Sequence, residues 1–146
     1  MKFFTVLTLA VLMVACVSAK NYTIITTSLN WHLAFQDCEY RGMQLATIES
    51  EEELNAVDAA SKAAGTANEA MWTAGTDLAE EAKFVWMNTG KGFTYVRWAA
   101  NQPDNWKDNE HCMHLRRDGG QLVFNDVDCP RKMYYICEDK PINCDE

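Results

Sequence analysis

Basic residues are scarce in this chain of 146 residues, where 13 lysines and arginines stand against 21 aspartates and glutamates. The formal net charge of -8 repels a phosphate backbone, and no basic stripe along the sequence offsets that repulsion. Histidine is also scarce, with three residues, and no serine or cysteine stands in a motif that pairs a nucleophile with one of them. These shortages argue against nucleic-acid partners and against an enzyme.

Long apolar runs are absent after residue 19, and the sequence has no repeats or low-complexity tract. The one such run, Phe3 to Val17, follows the positive charge of Lys2 and leads into the small residues Ser18 and Ala19. It is shorter than the roughly 20 residues that a membrane span needs. The pattern therefore predicts a signal peptide at residues 1–19 and a secreted, extracellular protein without membrane insertion. The remainder, residues 20–146, has the length of a single domain.

The cysteines lack any C-x-x-C pair of the zinc-ribbon type. In a secreted chain they are candidates for disulfide bonds rather than for metal thiolates. Five follow the predicted signal peptide, so one is left over, and the residues alone do not fix the pairing. These five are Cys38, Cys112, Cys129, Cys137 and Cys144. Secretion also makes Asn21, in Asn21-Tyr22-Thr23, a candidate glycosylation site.

Two amphipathic helices are predicted in the first half of the domain, after a β-prone stretch from Tyr22 to Thr27. Asn30 is a suitable N-cap for the first helix, and Gly42 ends it. Ser50 and Glu53 form a capping box that opens the second helix. The residues expected to face the core are Trp31, Ala34, Phe35 and Cys38 in the first helix and Leu54, Val57 and Ala60 in the second.

The second half lacks helical periodicity and is typical of strands. Met71 to Thr76 is predicted as a short buried strand and Met133 to Cys137 as the last strand. The turn sequence Arg117-Asp118-Gly119-Gly120 predicts a hairpin between Cys112–Arg116 and Gln121–Val127. Helices followed by antiparallel strands predict an α+β fold.

Six short motifs follow one another along residues 20–146. They are Trp31-x-x-Ala34-x-x-x-Cys38, Gly42-x-x-Leu45-Ala46-x-Ile48, Trp72-Thr73-Ala74-Gly75, Gln102-Pro103-Asp104, Glu110-x-Cys112 and Asn125-Asp126-x-x-Cys129. In order and spacing they resemble the C-type lectin-like domain family, in its short secreted arthropod form. The resemblance implies a C-type lectin-like fold of two helices with antiparallel sheets and a long calcium-binding loop.

The resemblance also implies two disulfide bonds, Cys38–Cys137 and Cys112–Cys129. In the chain-entropy model, closing the longer loop contributes roughly 4 to 5 kcal/mol to stability and closing the shorter loop about 3 kcal/mol. Such cross-links allow a polar loop to stay irregular without unravelling the domain. Cys144 has no partner in this scheme, so it is either free or links two chains as a dimer.

The polar loop from Ala99 to Asp108 has no regular pattern, and loops of this kind usually carry function. The resemblance implies that this loop and the last hairpin strand bind calcium, a cation that prefers six to eight oxygen ligands. The expected metal ligands are Gln102, Asp104, Glu110, Asn125 and Asp126. A divalent cation explains how three carboxylates share one pocket.

In the family, two vicinal sugar hydroxyls complete the calcium shell, and the same side chains hydrogen-bond those hydroxyls. The arrangement of carboxylate acceptors and amide donors therefore selects hydroxyl geometry. Gln102-Pro103-Asp104 resembles the galactose-selective motif, which in the family has a cis bond before the proline, whereas Glu-Pro-Asn marks mannose selectivity. The expected carbohydrate-binding residues are Gln102, Asp104, Trp106, Glu110, Asn125 and Asp126, with the Trp106 ring against the apolar sugar face.

By the same resemblance, the partners are glycans on cells or glycoproteins, and the role is pattern recognition or agglutination in innate immunity. The alternative is a protein-binding module of the same fold that binds no sugar, because fold does not fix function. Retention of the expected calcium ligands favours the sugar-binding function. Paired carboxylates also suit a glycosidase, but calcium coordination accounts for them better.

Two further groups of residues match a metal-binding pattern only in part. Asp77 and Glu81 match positions of the family's auxiliary calcium site, but Asn105 and His111 replace acidic residues there. We therefore expect no second calcium ion, and Asp77 with Glu81 fits an i, i+4 surface pair equally well. His111 and His114 have a spacing compatible with zinc, but their odd separation places them on opposite faces of a strand.

Overall fold

The computed structural model describes residues 19–141. The helices are α1 (Trp31–Tyr40) and α2 (Glu51–Ala63), and a short 3₁₀ turn covers Trp106–Asp108. The strands are β1 (Tyr22–Leu29), β2 (Met43–Leu45), β3 (Met71–Thr76), β4 (Val85–Trp86), β5 (Cys112–Asp118), β6 (Gln121–Val127) and β7 (Met133–Asp139). The expected signal peptide, apart from its last residue, and Cys144 lie outside the described residues. Within that range no helix is both long and apolar enough to cross a bilayer.

Both helices begin at the N-caps that the sequence predicts. The side chain of Asn30 accepts a hydrogen bond of 2.9 Å from the N–H of Leu33, and Ser50 Oγ accepts one of 3.1 Å from the N–H of Glu53. The second half of the capping box differs, because the Glu53 carboxylate accepts the N–H of Glu49, at 2.7 Å, instead of that of Ser50. One donor at the helix start is still satisfied in this way.

All seven strands belong to one sheet, in the order β1-β7-β3-β5-β6, with β2 on β7 and β4 on β3. The α+β fold of two helices and a sheet agrees with the expectation from the sequence. The sheet is mixed, however, because β3 pairs parallel to β7, with Trp72 opposite Tyr135. The expectation of antiparallel sheets therefore holds for the other strand pairs but not for this one, which joins segments about 60 residues apart in the chain.

The core lies between the helices and the sheet and is rich in tryptophan. Trp31, Trp72 and Trp86 are buried, and Trp98 is partly buried against them. The indole N–H of Trp31 donates a hydrogen bond of 2.8 Å to the carbonyl of Thr73, which fixes α1 to β3. A disulfide bond, Cys38–Cys137, then joins α1 to β7, the pair that the family resemblance implies.

The long loop starts from a segment that lies beside β6. The Phe124 N–H donates a hydrogen bond of 2.8 Å to the carbonyl of Arg97, and the Ala99 N–H donates one of the same length to the carbonyl of Phe124. Phe124 is fully buried, and its ring meets those of Trp86 and Trp98 edge to face. The Phe124 ring therefore packs into the aromatic core, and its backbone anchors the loop entrance to β6.

Candidate functional site

The β5–β6 hairpin supplies the fixed part of the site. Glu110 stands two residues before β5, and Asp126 lies near the end of β6, in register with Met113. A second disulfide bond, Cys112–Cys129, joins the start of β5 to the chain just after β6. The two carboxyl-bearing segments therefore leave the same end of the hairpin with their separation fixed by both backbone pairing and a covalent bond.

Asp126 holds the long loop against the hairpin. Its side chain is fully buried. Its Oδ2 accepts a hydrogen bond of 2.8 Å from the N–H of Asn105, and its Oδ1 accepts one of 3.3 Å from the N–H of Asp104. Backbone donors therefore satisfy both oxygens of this buried carboxyl group.

Glu110 makes the second set of contacts between loop and hairpin. Its Oε2 accepts a hydrogen bond of 3.2 Å from the N–H of Trp106, and its own N–H donates one of 3.0 Å to Oδ1 of Asn105. Burial raises the pKa of Glu110 above its ordinary value, and the adjacent carboxyls of Asp104 and Asp126 raise it further, against the opposing effect of the Trp106 N–H. Three acidic side chains are therefore crowded together at this point.

Three of the five expected ligand side chains meet in one place. Carboxylate oxygens of Asp104, Glu110 and Asp126 all lie within 4.8 Å of one another. Glu110 and Asp126 are buried, whereas Asp104 is exposed at the rim. The result is an oxygen-rich group that is open to solvent on the side of the loop.

The two expected amide ligands, Gln102 and Asn125, differ in their hydrogen bonding. Gln102 Oε1 is buried and has no hydrogen-bond partner among the described residues, and the Gln102–Pro103 peptide bond is cis. Asn125 Nδ2 donates a hydrogen bond to the carbonyl of Asp126. A buried carbonyl oxygen without a donor is costly, so Gln102 has an oxygen still available for a cation or a ligand donor.

Trp106 is the exposed aromatic residue of the site, with 59% of its surface accessible. The Lys107 ammonium lies 4.0 Å from the centroid of its ring, a cation–π contact. A cleft of about 250 Å³ adjoins it. The residues that line this cleft are Trp106, Lys107, Asn109, Glu110, Asp128 and Arg131. Glu110 thus belongs to both the carboxylate group and the cleft.

Asn105 is a positioning residue that the sequence analysis treated only as a lost acidic ligand. Its backbone is left-handed, with φ 42° and ψ 51°, and its side chain accepts the Glu110 N–H. Asparagine enters this conformation more readily than most residues. The sequence offers one signal for this role, an asparagine between Asp104 and Trp106. That signal does not reveal that its amide oxygen accepts the Glu110 N–H.

A second cluster forms from Asp77, Glu81 and His111, whose ligand atoms also lie within 4.8 Å of one another. His111 Nδ1 is 3.0 Å from Asp77 Oδ1 and 3.4 Å from Glu81 Oε2. Asp77 is only 2% exposed. The suggestion that Asp77 and Glu81 form a surface pair is therefore wrong for Asp77, which follows β3 into the interior and faces an imidazole.

His114 points elsewhere, as the odd separation from His111 predicts. It is buried on β5, its ring meets Trp72 edge to face, and neither ring nitrogen has a hydrogen-bond partner among the described residues. Burial lowers the pKa of His114 to about 4, with smaller contributions from Arg116 and Arg131. A neutral, packed ring fits a structural role and not a metal ligand.

Comparisons with known proteins show the family to which the chain belongs. The C-type lectin domain model matches residues 27–139. The chain is 36% identical over 126 residues to lectin subunit alpha of Sarcophaga peregrina, which covers 82% of this chain and 44% of that longer protein. It is 38% identical over 96 residues to the alpha-N-acetylgalactosamine-specific lectin of Patiria pectinifera, which covers 64% of this chain and 56% of that one.

A solved structure shares the fold over most of its length. The carbohydrate-recognition domain of the mouse scavenger receptor C-type lectin superposes with a TM-score of 0.73 at 28% identity, covering 88% of this chain and 95% of that domain. The family model and the fold thus indicate the same family. The chain belongs to the C-type lectin domain family, a family of non-enzymatic binding proteins.

Proposed function

We propose that this chain is a secreted, calcium-dependent lectin that binds galactose-type sugars on cells or glycoproteins. The observation that carries the proposal is the meeting of Asp104, Glu110 and Asp126 within 4.8 Å. Two of these carboxylates come from opposite sides of a hairpin and one from the long loop. Three carboxylates in one place repel one another, and a bound cation would offset that repulsion.

The donor set fits calcium. Carboxylate and amide oxygens are the ligands that hard divalent cations prefer, and Gln102, two residues before Asp104, has a neutral oxygen without a hydrogen-bond partner among the described residues. The residues that would hold the ion are Gln102, Asp104, Glu110, Asn125 and Asp126. A calcium ion held there would supply a positive centre that attracts two neighbouring hydroxyls of a sugar.

Selectivity for galactose rests on the order of amide and acid in the loop. Gln102 carries amide donors and Asp104 only acceptors, so these two positions offer different hydrogen-bond partners to the two hydroxyls. The named specificity of the Patiria pectinifera relative for N-acetylgalactosamine supports a galactose-type ligand. Trp106, exposed and beside Glu110 in the cleft, suits contact with the apolar face of the ring.

The wider biology follows from these properties. One small sugar buries little area, so useful binding needs several sites on one particle. A disulfide-linked dimer through Cys144 is one route to that state, and agglutination or pattern recognition in innate immunity is the corresponding role. Asn21 is exposed beside Asp139 and accessible for glycosylation in a secreted protein.

The test is retention of the secreted protein on immobilised galactose. We expect binding in millimolar calcium and release by EDTA, with weaker retention on a mannose matrix of equal sugar density. Glu80→Gln, an exposed carboxylate outside the site, is the matched control and should behave as the original chain. If the protein binds no galactose-type glycan when calcium is present, the proposal is wrong. If it binds a protein partner and that binding survives EDTA, the protein-binding alternative is favoured.

A further inference from the structure

A second group of metal-ligating side chains lies outside the proposed sugar site. It comprises Asp77, at the end of β3, Glu81, in the turn that follows, and His111, next to the start of β5. None of these residues is needed for the proposed sugar contacts. The imidazole Nδ1 faces both carboxylates, at 3.0 Å and 3.4 Å, so the three potential ligand atoms point to one spot.

The chemistry of this group differs from that of the all-oxygen site. Calcium prefers oxygen ligands, whereas an imidazole nitrogen with carboxylates suits zinc and neighbouring transition metals. We propose that Asp77, Glu81 and His111 form a second metal site, which takes a zinc-class divalent ion in preference to calcium. Three protein ligands leave room for a water molecule or for an outside ligand in a tetrahedral shell.

Hydrogen bonds to the backbone hold Asp77 and the His111 segment in place. Asp77 Oδ2 accepts a hydrogen bond of 2.9 Å from the N–H of Ala82, which leaves Oδ1 directed at His111. The His111 carbonyl accepts the Asp77 N–H at 3.2 Å and the Thr76 hydroxyl at 2.6 Å. These bonds orient the buried ligand before any ion arrives, much as supporting hydrogen bonds do in known metal sites.

The cluster is also reachable from solvent. The side chains of Glu81 and His111 are 53% and 28% exposed, while that of Asp77 is 1% exposed. An ion can therefore enter between the two outer ligands and meet a rigid inner one. Glu110 and His111 are adjacent in sequence, but the two sites share no ligand, so zinc binding does not rest on the proposed sugar-binding function.

The experiment is a zinc titration of the tag-free secreted protein by calorimetry, with millimolar calcium present throughout to occupy the oxygen site. A parallel titration with cobalt(II) reports ligand geometry by visible absorption. His111→Gln and Glu81→Gln are the informative variants, because both side chains are partly exposed and their removal leaves the core intact. His32→Gln, which removes an exposed histidine on α1, is the matched control.

We expect one zinc ion per chain, with affinity at least about tenfold weaker in His111→Gln and Glu81→Gln and unchanged in His32→Gln. Asp126→Asn should lose calcium-dependent sugar binding and keep zinc binding, which separates the two sites. Zinc affinity unaltered by His111→Gln overturns the proposal. So does displacement of zinc by millimolar calcium, since it would show that the nitrogen ligand confers no preference.

Discussion

The N–H of Asn105 donates a hydrogen bond of 2.8 Å to Oδ2 of Asp126, and this contact joins the long loop to strand β6. The Asp126 side chain therefore has two roles. Its oxygens accept the hydrogen bonds that order the loop, and its carboxyl group is part of the cluster with Asp104 and Glu110. Removing its charge tests both roles, because the asparagine replacement keeps the shape but has only one acceptor oxygen.

For Asp126→Asn we expect calcium affinity to fall at least about tenfold, or roughly 1.4 kcal/mol, with loss of galactose binding. The reason is the removal of one charged ligand together with one of the two acceptors that hold the loop. Calorimetric titration with calcium measures the change. Asp118→Asn, in the exposed hairpin turn, provides the control, and wild-type calcium affinity in Asp126→Asn contradicts the assignment.

Exchanging the amide and the acid on either side of Pro103 should change which sugar the protein prefers. In Gln102→Glu with Asp104→Asn, the number of oxygen ligands is kept while donors and acceptors change places. We expect calcium affinity within a few-fold of the original and a preference that moves from galactose toward mannose. A glycan array read with and without calcium measures both preferences at once. An unchanged sugar profile at retained calcium affinity would show that these two side chains do not select the hydroxyls.

Loss of the Trp106 ring should weaken sugar binding without touching the metal ligands. Aromatic contacts of this kind contribute about 0.5–1.5 kcal/mol, so Trp106→Ala should lower galactose affinity roughly two- to tenfold. Calcium affinity should stay the same, since the Trp106 N–H that Glu110 accepts belongs to the backbone and is retained. Trp106→Phe, which keeps an aromatic face, should restore most of the affinity. A galactose affinity that is equal in the alanine and phenylalanine variants speaks against stacking.

Local features of the fold were predictable from the sequence because their causes are local. Asn30 and Ser50 cap the helices through bonds that span three residues. The turn at Gly119 and Gly120, with φ of 55° and 84°, suits the one residue type that adopts positive φ without cost. Motif order carried the resemblance to the family, and with it the residues of the carboxylate group.

Contacts between distant segments were not predictable in the same way. The parallel pairing of β3 with β7 depends on the whole chain packing around one core. The meeting of His111 with Asp77 depends on the end of β3 lying beside the start of β5, which the pairing of Thr76 with Cys112 produces. No local pattern encodes such a juxtaposition. Only the family resemblance grouped His111 with Asp77 and Glu81, and it did not indicate that the imidazole faces both carboxylates.

The Cys112–Cys129 disulfide bond should stabilise the base of the site. The two cysteines are separated by 17 residues in sequence, and closing a loop of that size contributes about 3 kcal/mol in the chain-entropy model. We therefore expect Cys112→Ala with Cys129→Ala to lower the free energy of unfolding by about that amount, measured by denaturant titration. Calcium should recover part of the loss by binding the folded state. A double variant as stable as the original chain would show that the hairpin alone fixes the two carboxyl-bearing segments.

His114 should make the domain sensitive to mild acid. Its pKa is lowered to about 4 in the folded protein from 6.5, so between those values the unfolded chain binds a proton that the folded chain does not. Stability from this residue is thus complete above pH 6.5 and falls as the pH drops toward 4, by up to roughly 3 kcal/mol. Urea titrations from pH 7 to pH 4 measure the decline. His114→Leu keeps a buried side chain of similar size that cannot be protonated, so its free energy of unfolding should fall less between pH 7 and pH 4, by about the same 3 kcal/mol. His32→Gln should lose stability with acid as the original chain does. If the leucine variant loses stability with acid as steeply as the original chain, the burial of a neutral imidazole is not the cause.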